Sequence, residues 1–157
     1  MQAIYFDMDG TVYDLYGVND WLHMLHTENT DAYECGKPLY NMDKLNSILE
    51  QFVALGIVIG VVTWSAMDGS KEFNRKTRKV KKAWVAEHMP TVTEFHCIKY
   101  GTPKHKVAKI KNSILVDDNA DVFFFSSTIP FFKISNLTNK SFTNGFCFIN
   151  IFLSKFT

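Results

Sequence analysis

The segment Ile57–Val62 restricts the possible folds of this chain more than any other stretch. Each of its residues is apolar or glycine, so polar and apolar side chains do not alternate along it. A strand that is apolar on both faces is typical of a parallel sheet covered by helices. Asn41–Leu55, directly before it, carries apolar residues at helical spacing, and Gly56 suits a helix end. A helix followed by a buried strand predicts an α/β fold.

Helix and strand patterns continue to alternate along the chain. Ser70–His88 predicts a second long helix, whereas Glu94–Ile98 and Ile114–Val116 predict strands. The helix positions expected to face the core are Leu45, Ile48, Leu49, Phe52 and Leu55, then Phe73, Val80 and Trp84. Cations cover most of the second helix, namely Lys71, Arg75, Lys76, Arg78, Lys79, Lys81 and Lys82. A patch for a polyanion is one interpretation, but a solvated face is favoured because the chain's net charge is only +1.

Length and composition predict one domain in a reducing compartment. The chain has 157 residues, which is the size of a single domain. The three cysteines, Cys35, Cys97 and Cys147, show neither metal-ligand spacing nor a disulfide framework. No apolar run is long enough for a convincing membrane span, and Asp7 comes too early for a secretory signal to precede the fold. A cytoplasmic protein is therefore expected.

The first predicted strand ends in a pair of carboxylates. In the segment Ile4–Thr11, Asp7 and Asp9 are one residue apart, and Gly10 follows. Alternate residues of a strand share a face, so both carboxylates are expected on one side of the strand end. Two close carboxylates repel each other unless a cation or a proton lies between them. The pair indicates a Mg²⁺ site, a nucleophile with an acid/base partner, or both; aspartates that only cap a turn are the alternative.

Other polar groups follow the other predicted strands. Thr63 ends the second strand, and Asp117 and Asp118 end the strand Ile114–Val116. In open α/β sheets, ligands bind outside the carboxyl ends of the strands, so these groups are expected around one crevice. A phosphoryl group suits such a crevice because its negative charge requires Mg²⁺, a lysine and hydroxyl or backbone donors.

Lys104 is the lysine expected at this crevice. Thr102 predicts a helix cap and Pro103 the first helical residue, which places Lys104 in the first turn. A cation at that position interacts unfavourably with the helix dipole, which makes a functional role plausible. An ordinary exposed lysine is the alternative. Residues i and i+2 of a helix point apart, so Lys104 and Lys106 cannot both face the crevice, and Lys104 is chosen for its first-turn position.

The ordered set of motifs resembles the haloacid dehalogenase (HAD) superfamily of phosphohydrolases. The string Asp-x-Asp-Gly-Thr, here Asp7–Thr11, matches its first motif, and the resemblance extends over residues 2–121. It implies a Rossmann-like three-layer α/β core with a parallel sheet and a minimal cap insert after the first strand, at about residues 12–40. It is similar most of all to small, short-capped members of phages and bacteria that are labelled nucleotidase-like.

The resemblance also implies a role for each site residue. Asp7 matches the nucleophile that forms an aspartyl-phosphate, and Asp9 matches the acid/base. Thr63 and Lys104 match the residues that bind the substrate phosphate. The implied Mg²⁺ ligands are Asp7, Asp9 through its carbonyl, Asp117 and Asp118.

The insert and the end of the chain carry most of the unusual aromatic content. Asn19–His26 predicts a short helix that Asn19 or Asp20 caps, with Trp21, Leu22 and Leu25 on its apolar face. Aromatic residues that could stack on a base, or only pack the insert, are Tyr13, Tyr16 and Trp21.

Residues 122–157 form a tail of different composition. They hold no acidic residue and ten of the fourteen phenylalanines. The tail resembles a frame-altered or divergent end; a genuine aromatic strand–turn–strand that completes the sheet is the alternative. It is expected to contribute little to the site, since every site residue precedes it.

These patterns predict a Mg²⁺-dependent phosphatase for a small phosphomonoester, with a nucleoside monophosphate as the leading candidate. A non-catalytic phosphate- or nucleic-acid-binding module on the same fold is the alternative. A truncated or frame-altered product without activity is the third possibility. Neither a membrane nor a nucleic acid is the expected partner, and the oligomeric state is left open.

Overall fold

The computed structural model describes residues 2–107 and 113–119, and the backbone alone for residues 131–133. The strands are β1 (Ala3–Phe6), β2 (Val58–Trp64), β3 (Glu94–Ile98), β4 (Ser113–Asp117) and β5 (Phe131–Lys133). The helices are α1 (Trp21–His26), α2 (Met42–Ala54) and α3 (Lys71–His88), with 3₁₀ turns at Thr30–Tyr33 and Lys104–Lys106. All strand pairs are parallel, in the order β3-β2-β1-β4-β5. The predicted α/β class with a parallel sheet is confirmed, and the arrangement is compatible with a Rossmann-like fold.

The strand order reverses at β1, which lies in the middle of the sheet. The chain moves outward from β1 to β2 and β3, then crosses to the other side of β1 to form β4. Phe6 pairs with Val61 of β2 and with Val116 of β4, so the carboxyl ends of the three strands lie side by side. Such a reversal opens a crevice at the carboxyl ends of the strands, where α/β proteins bind their ligands.

The two faces of the sheet form separate apolar clusters. Ile4 and Ile59 belong to the larger cluster, together with Phe52 of α2 and with Phe73 and Trp84 of α3. Since both helices pack there, α2 and α3 cover the same face. The opposite face carries Ala3, Tyr5, Val62 and Leu115. The prediction of a third layer over that second face lies outside the described residues.

Helix α2 begins where its sequence predicts, but its apolar face is narrower than expected. Asn41 caps it, because its side-chain oxygen accepts the Lys44 N–H at 3.0 Å. Leu49 and Phe52 are buried, whereas Leu55 is 69% exposed. The placement of Leu55 in the core was wrong because the helix ends at Ala54, and Gly56, at φ 77°, then turns the chain toward β2.

Helix α1 follows the predicted N-cap residue Asp20 and ends at His26 as expected, but the cap has no side-chain hydrogen bond. Asp20 holds the N-cap position in a left-handed conformation, and its side chain makes no capping hydrogen bond. Leu22 is 51% exposed, so its assignment to the apolar face was wrong. Met24 takes that place and packs with Trp21 and Leu25 against the core.

Backbone hydrogen bonds join the two ends of the insert, residues 12–40. The Asp14 N–H donates to the Lys37 carbonyl at 2.9 Å, and the Leu39 N–H donates to the Val12 carbonyl at 3.0 Å. Tyr13 is fully buried between these segments and donates its hydroxyl to the Ala32 carbonyl at 2.9 Å. The insert is therefore a small unit with its own hydrogen-bonded neck beside the first strand end.

A single carboxylate joins the insert to the start of α3. Glu28, at the end of α1, accepts the Ser70 N–H at 2.6 Å and the Ser70 hydroxyl at 2.8 Å. Ser70 is itself the N-cap of α3, and its hydroxyl accepts the Phe73 N–H. A carboxylate at a helix N-terminus is stabilised by the helix dipole. The position of the insert is thus fixed relative to α3.

The described part of the tail is one short strand at the sheet edge. The backbone of β5 pairs in parallel with β4, from Leu115 opposite Phe131 to Asp117 opposite Lys133. The predictions for the remaining tail, and for the domain boundary at residue 121, lie outside the described residues. Among the described helices, none has the length and apolar character needed to cross a membrane.

Candidate active site

The turn after β1 brings the first aspartates to the crevice. The Met8 carbonyl accepts the N–H groups of Val12 and Tyr13 at 3.0 and 2.9 Å, which folds the chain sharply back. Gly10 stands in this turn at φ 79°, a conformation that costs other residues roughly 1–2 kcal/mol. A Cβ on Gly10 would lie 2.5 Å from Oδ2 of Asp118. Gly10 is therefore required by its backbone conformation and by the close approach of Asp118.

We expect Gly10→Ala to damage the site more than a matched glycine substitution elsewhere. Gly56→Ala is the control, because Gly56 has φ 77° but no atom of the described residues lies within 4 Å of the place that an alanine methyl group would take. Gly56→Ala should cost only the backbone strain, roughly 1–2 kcal/mol. Gly10→Ala should cost more, because Asp118 must move as well. Denaturant unfolding of both variants measures the difference, and equal losses would show that the Asp118 contact is unimportant.

Three carboxylates converge at the crevice between β1 and β4. Oxygens of Asp7, Asp117 and Asp118 all lie within 4.8 Å of one another. Thr11 fixes Asp118, because its hydroxyl donates to Oδ1 at 3.2 Å and accepts the Asp118 N–H at 3.1 Å. The Asn119 N–H donates to Oδ1 of Asp117 at 2.9 Å. The structure thus brings together the three carboxylates that were predicted to bind the metal.

Lys104 lies between two of these carboxylates. Its Nζ is 2.8 Å from Oδ1 of Asp7 and 2.7 Å from Oδ2 of Asp117, and the side chain is buried. The ring centroid of Trp64 is 4.4 Å from the same nitrogen. Lys106 is exposed. Of the two lysines, only Lys104 contacts the aspartates of the described site.

The local structure around Lys104 differs from the predicted helix start. Gly101, at φ 76°, and the bond from the Thr102 N–H to the Lys99 carbonyl form a turn before it. Pro103 then occupies the N-cap position of a 3₁₀ turn, without a side-chain cap. The prediction of Thr102 as the cap was wrong, since the turn shifts the start by one residue. The Thr102 carbonyl instead accepts the indole N–H of Trp64 at 2.8 Å.

Burial and crowding shift the ionisation of these groups. Burial raises the pKa of Asp7 to about 7; Lys104 opposes the shift, while Asp117 and Asp9 add to it. Burial, followed by the charge of Asp117, also raises the pKa of Asp118. Burial disfavours the charged form of Lys104, but Asp7 and Asp117 outweigh it and raise the pKa of that lysine. The crevice is a place where negative charge is concentrated and poorly solvated.

The residues present fit a divalent cation. Asp7, Asp9, Asp117 and Asp118 supply four carboxylates, and the ammonium groups that contact them are those of Lys81 and Lys104. Two negative charges therefore remain when all the groups are ionised. Mg²⁺ is a hard cation that binds carboxylate oxygens, so the cluster of Asp7, Asp117 and Asp118 has suitable donors and a suitable charge.

Asp9 lies outside this cluster, and its partner is a lysine that was expected on a solvated face. Lys81 of α3 is fully buried and forms a short ion pair with Oδ2 of Asp9. The same Nζ donates to Oγ1 of Thr63 at 3.0 Å and to the Trp64 carbonyl at 2.8 Å. Tyr33 of the insert covers it, with the ring centroid 4.5 Å from Nζ. The solvated interpretation was therefore wrong for Lys81.

The spacing of α3 contains a signal for this burial. Lys81 stands four residues after Thr77 and eight after Phe73, and all three are buried. Residues four apart share one face of a helix, so Lys81 belongs to the stripe that Phe73 begins. The surrounding lysines and arginines obscure that stripe in the sequence. Thr63, a predicted phosphate ligand, is also fully buried, and it reaches Asp9 through Lys81.

The aromatic residues of the insert have different environments. Tyr13 is buried inside the insert neck, so of its two predicted roles it has that of packing the insert. Tyr16 is 57% exposed and contacts Trp21 edge-to-face at a centroid distance of 5.3 Å. A ring carbon of Tyr16 would be 2.7 Å from a Cβ on Gly10, so this ring lies directly beside the site turn.

Neither the comparison of this chain with protein-family models nor that with curated proteins finds a match.

Proposed function

We propose that the protein is a Mg²⁺-dependent phosphatase of the HAD type that hydrolyses a small phosphomonoester through an aspartyl-phosphate. The observation that carries the proposal is the position of Lys104 between Asp7 and Asp117, beside Asp118, at the carboxyl ends of β1 and β4. An anionic substrate would be repelled by carboxylates alone, so a nucleophilic aspartate needs cations around it. The buried lysine and a divalent cation would together provide that charge.

The residues support a two-step reaction. In the first step, an oxygen of Asp7 attacks phosphorus, the ester P–O bond breaks, and Asp9 gives a proton to the leaving oxygen. In the second step, Asp9 takes a proton from water as that water attacks the phosphorus. Inorganic phosphate leaves, and the Asp7 carboxylate is restored. Asp9 loses a proton in the first step and regains one in the second, so the site is restored and water is the only other reactant.

Lys104 would hold the nucleophile and the phosphate together. An ammonium group has three N–H donors, and among the described residues two of them contact Asp7 and Asp117. The third donor is available for a phosphate oxygen. Asp7, Asp117 and Asp118 would hold Mg²⁺, with the Asp9 carbonyl as the ligand that the HAD resemblance adds. The ion would neutralise phosphoryl charge during the transfer.

The small insert and the exposed ring of Tyr16 support a substrate class. Tyr16 is beside the site turn, where a planar group attached to the phosphate could contact it, and Trp21 contacts Tyr16 edge-to-face. A nucleoside monophosphate is therefore the first candidate. Comparing the hydrolysis of a nucleoside monophosphate with that of a sugar phosphate of equal charge tests whether the rings contribute to recognition.

A phosphate- or nucleic-acid-binding module is the second candidate. The observation that favours it is the set of exposed cations on α3, which comprises Lys71, Arg75, Lys76, Arg78, Lys79 and Lys82. Such a module would bind DNA or RNA with an affinity that falls steeply with salt. It would not need the buried arrangement of Asp7 and Lys104.

Hydrolysis of phosphate esters by the purified protein distinguishes the two candidates. We expect release of inorganic phosphate from an aryl phosphate and from nucleoside monophosphates when Mg²⁺ is present. Removal of Mg²⁺ with a chelator should abolish the release, and its return should restore it. Salt-dependent binding of nucleic acid without hydrolysis of any ester would favour the binding module instead.

A further inference from the structure

Lys81 has no ammonium donor left for a substrate. Its three ammonium donors have three acceptors, Oδ2 of Asp9, Oγ1 of Thr63 and the Trp64 carbonyl. An ammonium group has no further N–H to offer. The ring of Tyr33 covers the same nitrogen. Lys81 therefore differs from Lys104, whose contacts to Asp7 and Asp117 leave one donor for a ligand.

The two oxygens of Asp9 are in different situations. Oδ2 is paired with Lys81, whereas Oδ1 is buried and has no hydrogen-bond partner among the described residues. A buried oxygen without a partner costs about 1–3 kcal/mol, so an arrangement that keeps one requires a reason. The Asp9 side chain as a whole is nonetheless 17% exposed, so the residue is not closed off from solvent.

We infer that Lys81 is a positioning residue, which holds Oδ2 of Asp9 and so fixes the orientation of the carboxylate that exchanges a proton with the leaving group and with water. This inference rests on the proposed phosphatase function. The pairing also keeps the Asp9 carboxylate away from the cluster of Asp7, Asp117 and Asp118. Without Lys81, that carboxylate would be free to rotate toward a cation bound at the cluster and would no longer face the leaving oxygen.

The same lysine connects two other parts of the site to Asp9. It bonds Thr63 at the end of β2 and lies under Tyr33 of the insert. Glu28 fixes the insert to Ser70 at the start of α3, so the helix that carries Lys81 and the insert that covers it are joined. The orientation of Asp9 thus depends on α3, which contributes no other residue to the crevice among those described.

Lys81→Met tests the inference, because methionine keeps the length of the side chain and removes the donors. Lys82→Met is the matched control, since Lys82 is the next residue and is exposed. We expect Lys81→Met to lower kcat for an alkyl phosphate on the order of 10²-fold, the range of general acid catalysis. An aryl phosphate with a good leaving group needs little proton transfer, so its kcat should change much less. KM should change little for either ester.

A second pair of variants isolates the action through Asp9. In the Asp9→Asn background, Lys81→Met should cause almost no further loss, because the carboxylate that it orients is already absent. The comparison can still be made if Lys81→Met alone fails to fold. In the double variant, asparagine replaces the carboxylate that would otherwise be left without its lysine partner. Circular dichroism and thermal unfolding establish that each variant is folded.

The outcomes separate this inference from the proposed function. Equal losses for both esters in Lys81→Met, or a further large loss in the Asp9→Asn background, would overturn the positioning role while the phosphatase function stands. A wild-type protein that hydrolyses neither ester with Mg²⁺ would overturn the function itself, and the inference with it. A loss of kcat in Lys81→Met that is large for the alkyl phosphate and small for the aryl phosphate supports both the positioning role and the phosphatase function.

Discussion

Asp7→Asn is expected to lower kcat on the order of 10⁴-fold or more, the scale seen when a covalent nucleophile is removed. Asparagine has nearly the same size and can still accept a hydrogen bond from Lys104, so the fold should survive. Its amide is a very poor nucleophile, and no aspartyl-phosphate can form. Steady-state hydrolysis of an aryl phosphate with Mg²⁺ measures the loss.

Binding of a phosphoryl mimic provides the control for Asp7→Asn. Fluoroberyllate attaches to a carboxylate nucleophile, so it should raise the thermal stability of the wild-type protein with Mg²⁺ and leave that of Asp7→Asn unchanged. Near-normal turnover by the variant would exclude Asp7 as the nucleophile. The site would then act through water that other groups activate.

Lys104→Met is expected to cost both activity and stability. The ammonium group contacts two buried carboxylates, and removal of one partner from a buried ion pair costs about 3–5 kcal/mol. The pKa of Asp7, which burial raises to about 7 although Lys104 opposes the shift, should rise further in the variant. Protonated Asp7 does not need the lysine, so the destabilisation should be smaller in acid and grow as the pH rises through about 7.

Lys106→Met is the matched control for this variant. Lys106 belongs to the same 3₁₀ turn but is exposed, and surface substitutions usually change stability by less than about 0.5 kcal/mol. Unfolding across the pH range and hydrolysis with Mg²⁺ should therefore leave Lys106→Met close to the wild type. If Lys106→Met lost more activity than Lys104→Met, the site lysine would have to be reassigned.

Strands β1 to β4 and the starts of α2 and α3 were predictable because their signals are local. The uninterrupted apolar segment of β2 requires burial on both faces, and Asn41 and Ser70 are typical N-cap residues. The ends of parallel strands share one edge of the sheet. For that reason alone, Asp7, Thr63 and Asp117 could be expected near each other before any contact was known.

The contacts that orient the site were not predictable, because they join residues distant in the sequence. Thr11 and Asp118 are 107 positions apart, and Lys81 and Asp9 are 72 apart. A buried lysine looks the same in a sequence as an exposed one, and the neighbours of Lys81 are cations that do remain exposed. The helical spacing places Lys81 on the stripe of Phe73 and Thr77, but only the packing of α3 against the sheet brings its ammonium group to Asp9.

The covalent intermediate provides the most direct test of the proposed mechanism. The Asp9→Asn variant should be mixed with an aryl phosphate and Mg²⁺, because its first step needs little acid and its second step lacks the base. Acid quenching, reduction with borohydride and peptide mass spectrometry then identify the phosphorylated residue. The expected result is conversion of Asp7 to homoserine, which depends on substrate and Mg²⁺. Phosphate release without modification of Asp7, or modification of a different residue, would contradict the mechanism.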